Sequence, residues 1–311
     1  MPSFDKVVVV TKKTRLEELV ERFNTIGQAK FYLQRSGDDF DAYQREHDRY
    51  RRSYDRVRSE VDALAMKQQW IDRSLLPTYF FSKDDVVVTL GPDGIVANTA
   101  KYVGAQPIVA VDPDPEFSAG ILLSTRSDQC AATVRSVLAG RAKVREVTLA
   151  RASTSLGQTL LAFNDLFIGA RSHVSARYRL HFEGKREDQS SSGVLVSTGA
   201  GSTGWLSSVW SMVDGIARSL GAPAMRRPVI RWEDRQLYFV VREPYVSKTT
   251  GAQCVLGSIA DGRALSIESQ MPSGGQIFSD GVESDWIPFD AGTIVSIRAA
   301  EQRAQLVTGE R

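Results

Sequence analysis

The sequence is poor in the residues that mark several classes of protein. It has two cysteines, Cys130 and Cys254, which are too few for a disulfide framework and too far apart for a C-x-x-C metal pair. Its three histidines, His47, His173 and His181, are not spaced as metal ligands. The apolar run near the amino terminus, VVVV, is short and is followed by charge, unlike a signal peptide or a membrane span. We therefore expect a cytoplasmic protein with no metal site of its own and no membrane partner.

The sequence also lacks an excess of charge of one sign. Lysine and arginine number 39 and the acids 37, which leaves a net charge of +2, and the arginines are interleaved with acids. Such a chain has no basic stripe for the phosphates of a nucleic acid, so we expect no nucleic-acid partner. Hydrophobic residues make up 42% and charged residues 24%, which is typical of a globular protein, and a length of 311 residues predicts two domains.

The first part of the chain alternates short buried strands with helical segments. The predicted strands and the helices that follow two of them are KVVVVTKKT (6–14), RLEELVERFN (15–24), DDVVVTLGPDG (84–94), IVANTAKYVG (95–104) and QPIVAVDPDP (106–115). This order predicts an α/β domain with a Rossmann-like parallel sheet over residues 1–125. Lys12 and Lys13 lie at the end of the first strand, where α/β sheets place ligand sites, but the sequence alone favours the simpler explanation of two solvated loop lysines.

One long polar helix is predicted over residues 38–68, inside this domain. Apolar and aromatic side chains recur along it at alternating spacings of three and four, namely Phe40, Tyr43, His47, Tyr50, Tyr54, Val57, Val61 and Leu64. This is a heptad pattern, and the mixed charges on the other faces indicate that those faces are solvated. The pattern predicts packing either on the helix's own domain or on a second subunit, and we expect a homo-oligomer.

The second part of the chain, residues 126–311, is rich in short strands. Segments such as RYRLHFEG, QLYFVVRE and TIVSIRAA alternate with turns, and helical periodicity is largely absent outside 205–220. This pattern predicts an antiparallel β-sandwich domain. The fold class expected for the whole chain is therefore α/β plus β, with a boundary near residues 124–129.

Three glycines, Gly199, Gly201 and Gly204, follow an apolar run in VLVSTGAGSTGW. Their G-x-G-x-x-G spacing is that of a dinucleotide-binding turn, but that turn needs a parallel βαβ unit and an acid about 20 residues later. Neither is expected here. Ser202 could instead lie in a nucleophile elbow, but that fold needs a histidine after the serine, and all three histidines precede it.

A third interpretation joins several segments. LGPDG (90–94), FNDL (163–166), GVLVSTGAGSTGW (193–205) and FSDG (278–281) occur in this order. Together they resemble the NAD kinase family of the diacylglycerol-kinase-like superfamily, in which a G-G-D-G loop in an α/β domain precedes three motifs in a β-rich domain. The resemblance spans about 80–310 and includes the order of the domains, but not the long helix.

The resemblance implies an ATP-dependent kinase that phosphorylates NAD⁺ at the 2′-hydroxyl of its adenosine ribose. Asp93 would be the general base that activates this hydroxyl, and Gly91 and Gly94 would let the backbone approach phosphate. Gly201, Ser202 and Thr203 would also bind phosphate or nucleotide. The small-molecule partners would be NAD⁺ and ATP, with Mg²⁺ carried by the triphosphate.

The acceptor would be bound by a second set of residues, again by resemblance: Asn164, Asp165, Ser192, Trp205 and Asp280. An amide and a carboxylate suit the donors and acceptors of adenine and ribose. Trp205, at a position where the family has tyrosine, would offer a flat face to a base or a nicotinamide ring. Alone, Asn164, Asp165 and Asp280 would be explained by turns.

Some residues depart from the family pattern. Pro92 replaces a glycine of G-G-D-G and removes one backbone donor. Ser192 replaces an aspartate that helps to hold the acceptor, and Ala200 replaces a threonine. These changes leave two alternatives open, namely a kinase of the same fold that acts on another sugar or nucleoside, and a nucleotide-binding regulator without turnover.

Overall fold

The computed structural model describes residues 4–116, 120–223, 225 and 227–309. The chain forms two compact units, the first from residues 1–145 and 305–311 and the second from residues 146–304. The division lies 20 residues after the predicted boundary at 125. The reason is a helix, Cys130–Leu138, that the sequence analysis did not predict, and whose Cys130, Val134 and Val137 are buried in the core of the first unit.

The first unit contains the predicted parallel sheet. Its strands are β1 (Lys6–Thr11), β2 (Lys67–Asp72), β3 (Asp85–Leu90), β4 (Pro107–Asp112) and β5 (Thr125–Arg126). They lie in the order β2-β1-β3-β4 and are all parallel. Strand β5 pairs with the carboxyl end of β4, on the edge opposite β3. Val7 to Val10 are fully buried, as expected in a parallel sheet that is covered on both faces, and this explains their continuous apolar run.

Five α-helices lie in the described part of the first unit. They are α1 (Arg15–Phe23), α2 (Ile26–Ser36), α3 (Phe40–Asp62), α4 (Asp93–Ala100) and α5 (Cys130–Leu138), with 3₁₀ turns at Arg73–Thr78 and Ser127–Gln129. Thr14 caps α1 through a reciprocal bond with Glu17, as a capping box does. Helix α4 begins two residues earlier than predicted, because Pro92, at the N-cap, has extended backbone angles and Asp93 starts the helix.

Helix α3 is shorter than the predicted 38–68. It ends at Asp62, Ala65 has a positive φ of 53°, and Lys67 already begins β2. The heptad positions Tyr50, Val57 and Val61 are buried in the core of the first unit, beside valines of β1 and β3. The helix therefore packs on its own domain, which was one of the two predicted alternatives. The homo-oligomer stays a prediction.

The second unit is an antiparallel β-sandwich, as predicted. Its strands are β6 (Lys143–Thr154), β7 (Thr159–Ala162), β8 (Asp165–Ala170), β9 (Ala176–Phe182), β10 (Lys185–Ser191), β11 (Val194–Ser197), β12 (Leu237–Val241), β13 (Leu256–Ile259), β14 (Leu265–Ser269), β15 (Gly275–Ser279), β16 (Val282–Pro288) and β17 (Ile294–Thr308). The first three residues of β6 and the last four of β17 belong to the first unit, where Gln305 and Leu306 pair with β4.

Two layers of strands enclose the core of this unit. One sheet has the order β13-β12-β11-β8-β15-β16, and the other contains β10-β9-β14-β17, with β6 beside β17 and β7 beside β6. Side chains of both layers share one apolar cluster, in which Ile168 and Val196 of the first layer meet Leu180 and Ile267 of the second. A 3₁₀ turn (Ala200–Thr203) and helix α6 (Trp205–Ser219) follow β11. Within the described ranges, no helix of either unit is long and apolar enough to cross a membrane.

Candidate functional site

The predicted site residues fall into two groups, one in each unit. In the first unit, a cavity of about 460 Å³ lies at the carboxyl ends of β1, β3 and β4. Parallel sheets bind ligands at this edge, where successive crossovers leave in opposite directions. The cavity is lined by Lys12, Thr14, Glu46, Arg49, Tyr50, Pro92, Asp93, Asp112, Pro113, Asp114, Gly120 and Leu123.

The two glycines of the GPDG loop serve different purposes. Gly91 has a φ of +152°, and a Cβ there would lie 3.1 Å from Cγ2 of Ile95, so the turn itself needs this glycine. Gly94 is exposed in the first turn of α4, and a Cβ there would meet nothing within 4 Å. The protein's own packing therefore does not require a glycine at 94, although close approach of a ligand would.

Asp93 is the first residue of α4 and lines the cavity. Its carboxylate accepts hydrogen bonds from the backbone N–H groups of Ile121, at 2.9 Å, and Leu122, at 3.1 Å. These two bonds fix the orientation of the carboxylate. A carboxylate accepts about four hydrogen bonds, so Asp93 keeps acceptor capacity for a ligand hydroxyl.

One wall of this cavity comes from α3, which the sequence analysis did not connect with the site. Glu46, Arg49 and Tyr50 of α3 all line the cavity. The Nε atom of Arg49 donates to Oδ2 of Asp114 at 2.5 Å, and Ser53 Oγ donates to the carbonyl of Pro113 at 2.5 Å. The helix is thereby tied to the loop after β4. In the sequence, the one sign that α3 contributes to this cavity was the aromatic residue Tyr50 in the heptad pattern.

In the second unit, Asp280 organises the turn that begins β8. Asp280 lies between β15 and β16 with a positive φ of 54°. Its carboxylate accepts from the backbone N–H groups of Phe163 (3.0 Å), Asn164 (2.6 Å) and Asp165 (3.2 Å). The structure thus brings together three predicted acceptor-binding residues. It also shows that the Asp280 carboxylate holds the turn through these backbone hydrogen bonds.

Asp165 has an unusual environment for a carboxyl group. It is 6% exposed, and its side chain has no hydrogen-bond donor among the described residues. Burial, and then the negative charge of Asp280, raise the pKa of Asp165 to about 7. A buried carboxyl without a partner destabilises the fold when it is ionised, so such groups are candidates for binding or catalysis.

Two of the three glycines of the 199–204 stretch are explained by packing within the unit. A Cβ at Gly199 would collide with the carbonyl of Arg231, and a Cβ at Gly201 would collide with that of Asn164. Strand β11, which precedes them, is antiparallel to both β8 and β12, so no parallel βαβ unit surrounds the motif. The G-x-G-x-x-G spacing is therefore not a dinucleotide-binding turn here.

Thr198 is a central residue of this turn that the sequence analysis missed. Its Oγ1 donates to the carbonyl of Phe163 at 2.5 Å and accepts from the N–H of Gly201 at 3.1 Å. Ser202 Oγ donates to the carbonyl of Gly199 at 2.7 Å, while Thr203 is exposed. The hydroxyl of Thr203 is therefore open to a ligand, whereas those of Thr198 and Ser202 already bind the backbone.

Trp205 and Ser192 meet at Arg242. The Trp205 ring stacks on Phe167 with centroids 5.6 Å apart and an interplanar angle of 11°, and the guanidinium of Arg242 lies 5.2 Å from the Trp205 centroid. Ser192 is exposed, and its N–H donates to the carbonyl of Arg242 at 2.9 Å. The Trp205 ring is thus packed against Phe167 and Arg242 of the protein itself, so less of its flat surface is left for a ligand ring than the sequence suggests.

No group of three or more histidine, cysteine, aspartate or glutamate side chains able to hold a metal ion occurs in the part of the chain that the structure describes. The carboxylates of Glu46, Asp112 and Asp114, which line the cavity at Asp93, instead form ion pairs or accept hydrogen bonds from the backbone. Glu46 pairs with Arg15, Asp114 pairs with Arg49, and Asp112 accepts from the backbone.

Comparison with known proteins supports the architecture. No protein-family model matches the chain, and no curated protein matches its sequence. Among solved structures, an NAD kinase from Archaeoglobus fulgidus in complex with ATP is 16% identical, with a TM-score of 0.56 over 98% of this chain and 94% of that one. A yeast NADH kinase complexed with NADH is 14% identical, with a TM-score of 0.57 over 100% of this chain and 84% of that one. The chain therefore has a fold like that of these kinases.

Proposed function

We propose that this chain, with its NAD-kinase-like fold, is an ATP-dependent kinase that phosphorylates NAD⁺ at the 2′-hydroxyl of its adenosine ribose to give NADP⁺. The observation that carries the proposal is the position of Asp93. Its carboxylate is oriented by two N–H groups, lines a cavity at the carboxyl ends of parallel strands, and stands in a loop whose Gly94 the fold does not need.

The chemistry asks the protein for positioning and charge rather than for a covalent intermediate. Asp93 would accept the proton of the ribose 2′-hydroxyl as that oxygen bonds to the γ-phosphorus of ATP. The bond between the γ-phosphorus and the β,γ-bridging oxygen then breaks, and ADP leaves. The positive end of α4 would favour the phosphate charge near Asp93. The carboxylates present would not hold Mg²⁺ without the phosphates, so the ion would arrive with ATP and neutralise part of its charge.

The second unit would supply the acceptor-binding residues. Asn164 and Asp165 lie together in the turn that Asp280 holds, and the side chain of Asp165 has no hydrogen-bond partner among the described residues. With a pKa near 7, this carboxyl group can both donate to and accept from a ribose hydroxyl at neutral pH. The exposed Thr203 and the half-buried Trp205 would add contacts to the nucleotide.

The direct test is incubation with NAD⁺, ATP and Mg²⁺, followed by an assay for NADP⁺. Asp93→Asn should lower kcat by about 10²- to 10⁴-fold while ATP binding largely survives, because a general base is lost but the loop is kept. Asp84→Asn, at the other end of β3, is the matched control and should keep full activity. Normal turnover in a folded Asp93→Asn protein would remove Asp93 from the mechanism.

A second candidate is a kinase of the same fold with another sugar or nucleoside as acceptor. It is favoured by Ser192, which is exposed and neutral where the NAD kinase pattern has an acid. A panel of sugars and nucleosides with ATP, read as release of ADP, separates this candidate from the first. ATP binding without turnover on any acceptor would instead favour a nucleotide-binding regulator.

A further inference from the structure

Among the described residues that line the cavity at Asp93 (the Asp93 cavity), Lys12 is a cation whose side chain forms no ion pair. It follows β1, is half-buried, and lines the same cavity as Asp93. Within the described ranges its ammonium group has no carboxylate within 4.0 Å. The neighbouring Lys13, by contrast, is paired with Glu21 at 2.6 Å. The acids beside Lys12 are engaged elsewhere, since Glu46 binds Arg15 and Asp114 binds Arg49.

The position of Lys12 is set by Tyr50 of α3. The Tyr50 hydroxyl accepts from the backbone N–H of Lys12 at 3.2 Å and donates to the carbonyl of Leu90 at 3.3 Å. These two backbone groups lie just past the last register pair of β1 with β3, Val10 and Thr89. Tyr50 is 5% exposed, and burial raises its pKa to about 12, so its hydroxyl stays protonated at neutral pH. It thus bridges the two strand ends where they diverge.

We propose that Lys12 binds an oligophosphate chain of the nucleotide in the Asp93 cavity, and that Tyr50 is its positioning residue. This inference rests on the proposed kinase function. It gives α3, which lies outside the resemblance to the NAD kinase pattern, a role in the site. It also compensates for the backbone donor that the loop lacks at Pro92. The Lys12 ammonium group offers a phosphate three N–H donors and a full charge, whereas the loop has lost one backbone N–H.

The test of Lys12 is calorimetric binding of Mg·ATP, inorganic tripolyphosphate and NAD⁺ to the full chain. Lys12→Ala should weaken tripolyphosphate binding at least about tenfold, which corresponds to about 1.4 kcal/mol. Lys12→Arg should retain most of the affinity, since the charge is kept. Lys13→Ala is the matched control, because Lys13 is paired with Glu21 and does not line this cavity. The affinity of this variant for tripolyphosphate should stay within about twofold of that of the original protein.

The ligands of this panel also identify the source of the phosphates. A loss for Mg·ATP and tripolyphosphate, with NAD⁺ unchanged, assigns Lys12 to the donor triphosphate. A loss confined to NAD⁺ assigns it to the acceptor pyrophosphate. Unchanged binding of all three ligands by a folded Lys12→Ala protein overturns the inference, and so does an original protein that binds none of them.

The inference and the proposed function fail in different ways. If the original protein makes no NADP⁺ but loses tripolyphosphate binding on Lys12→Ala, the phosphate site stands and the NAD kinase proposal fails. If it makes NADP⁺ and Lys12→Ala changes neither binding nor the KM for ATP and for NAD⁺, the kinase proposal stands and the phosphate site fails.

The positioning role of Tyr50 is tested by a double-mutant cycle. Tyr50→Phe keeps the buried ring but loses both backbone bonds, and we expect tripolyphosphate affinity to fall about threefold or more. In a Lys12→Ala background the same change should have no further effect, because Tyr50 acts through Lys12. Tyr54→Phe, one turn later and packed on Trp70, is the matched control. Additive losses, or no loss on Tyr50→Phe, would show that Tyr50 does not act through Lys12.

Discussion

The buried carboxyl of Asp165 leads to a prediction about stability and pH. Its pKa is raised to about 7 in the fold, against an ordinary value of 3.8. Between these values the folded state holds a proton that the unfolded chain releases. The folded state therefore loses stability as pH rises through this window, and the loss is complete above about pH 7. Asp165→Asn keeps the shape of the protonated group but cannot ionise, so it should not show this loss.

The magnitude follows from the width of the window. Each pH unit between the two pKa values is worth about 1.4 kcal/mol, so Asp165 should contribute a loss of about 3 kcal/mol between pH 5 and pH 8. Asp165→Asn should therefore stabilise the protein by about 3 kcal/mol more at pH 8 than at pH 5. The gain has a functional cost, because the proposed acceptor site loses its carboxylate and the KM for NAD⁺ should rise.

The assay is urea unfolding at the two pH values, followed by tryptophan fluorescence. Four of the five tryptophans lie in the second unit, so the signal reports mainly on the unit that contains Asp165. Asp55→Asn, an exposed aspartate of α3, is the control and should change the free energy of unfolding equally at both pH values. If Asp165→Asn stabilises equally at pH 5 and pH 8, or destabilises more at pH 8, the reasoning about its ionisation is wrong.

Three further predictions concern the packing and the acceptor site. Gly201→Ala should abolish expression of folded protein or lower its melting temperature sharply, because the new Cβ collides with the carbonyl of Asn164; a normal circular-dichroism melt would contradict this. Val57→Ala should destabilise the first unit by about 1–3 kcal/mol in urea unfolding without changing the mass seen by light scattering, since Val57 is fully buried in its own unit; a drop in mass would place α3 in an oligomer contact instead. Ser192→Asp should lower the KM for NAD⁺ by up to about tenfold, because hydrogen bonds to a charged group are worth about 1.5–3 kcal/mol against about 1 for neutral pairs. An unchanged KM in a folded protein would mean that Ser192 does not contact the acceptor.

Segments with a strong local pattern were predicted well from the sequence. The apolar, mainly β-branched runs at 7–10, 86–88 and 108–111 are buried strands of one parallel sheet, because only a sheet covered on both faces needs a continuous apolar run. The ends of the helices were less accurate. Helix α3 ends at Asp62 rather than 68, since the turn at Ala65 and the pairing of Lys67 with Lys6 of β1 terminate it, and neither has a strong local signal.

The sequence alone therefore determined the fold class, the order of the two domains and the position of the GPDG loop, because these depend on short-range patterns of burial and turn formation. Tertiary structure decided which residues meet. The Tyr50 hydroxyl binds the backbone of Lys12 across 38 residues, and Asp280 binds that of Phe163 across 117. Hydrogen bonds between residues so far apart in the sequence leave no periodic pattern in it. The partners come within reach only after the strands between them have assembled into sheets. The same crossing brings the backbone carbonyl of Asn164 against Gly201, so a motif that suggested nucleotide binding is explained first by packing.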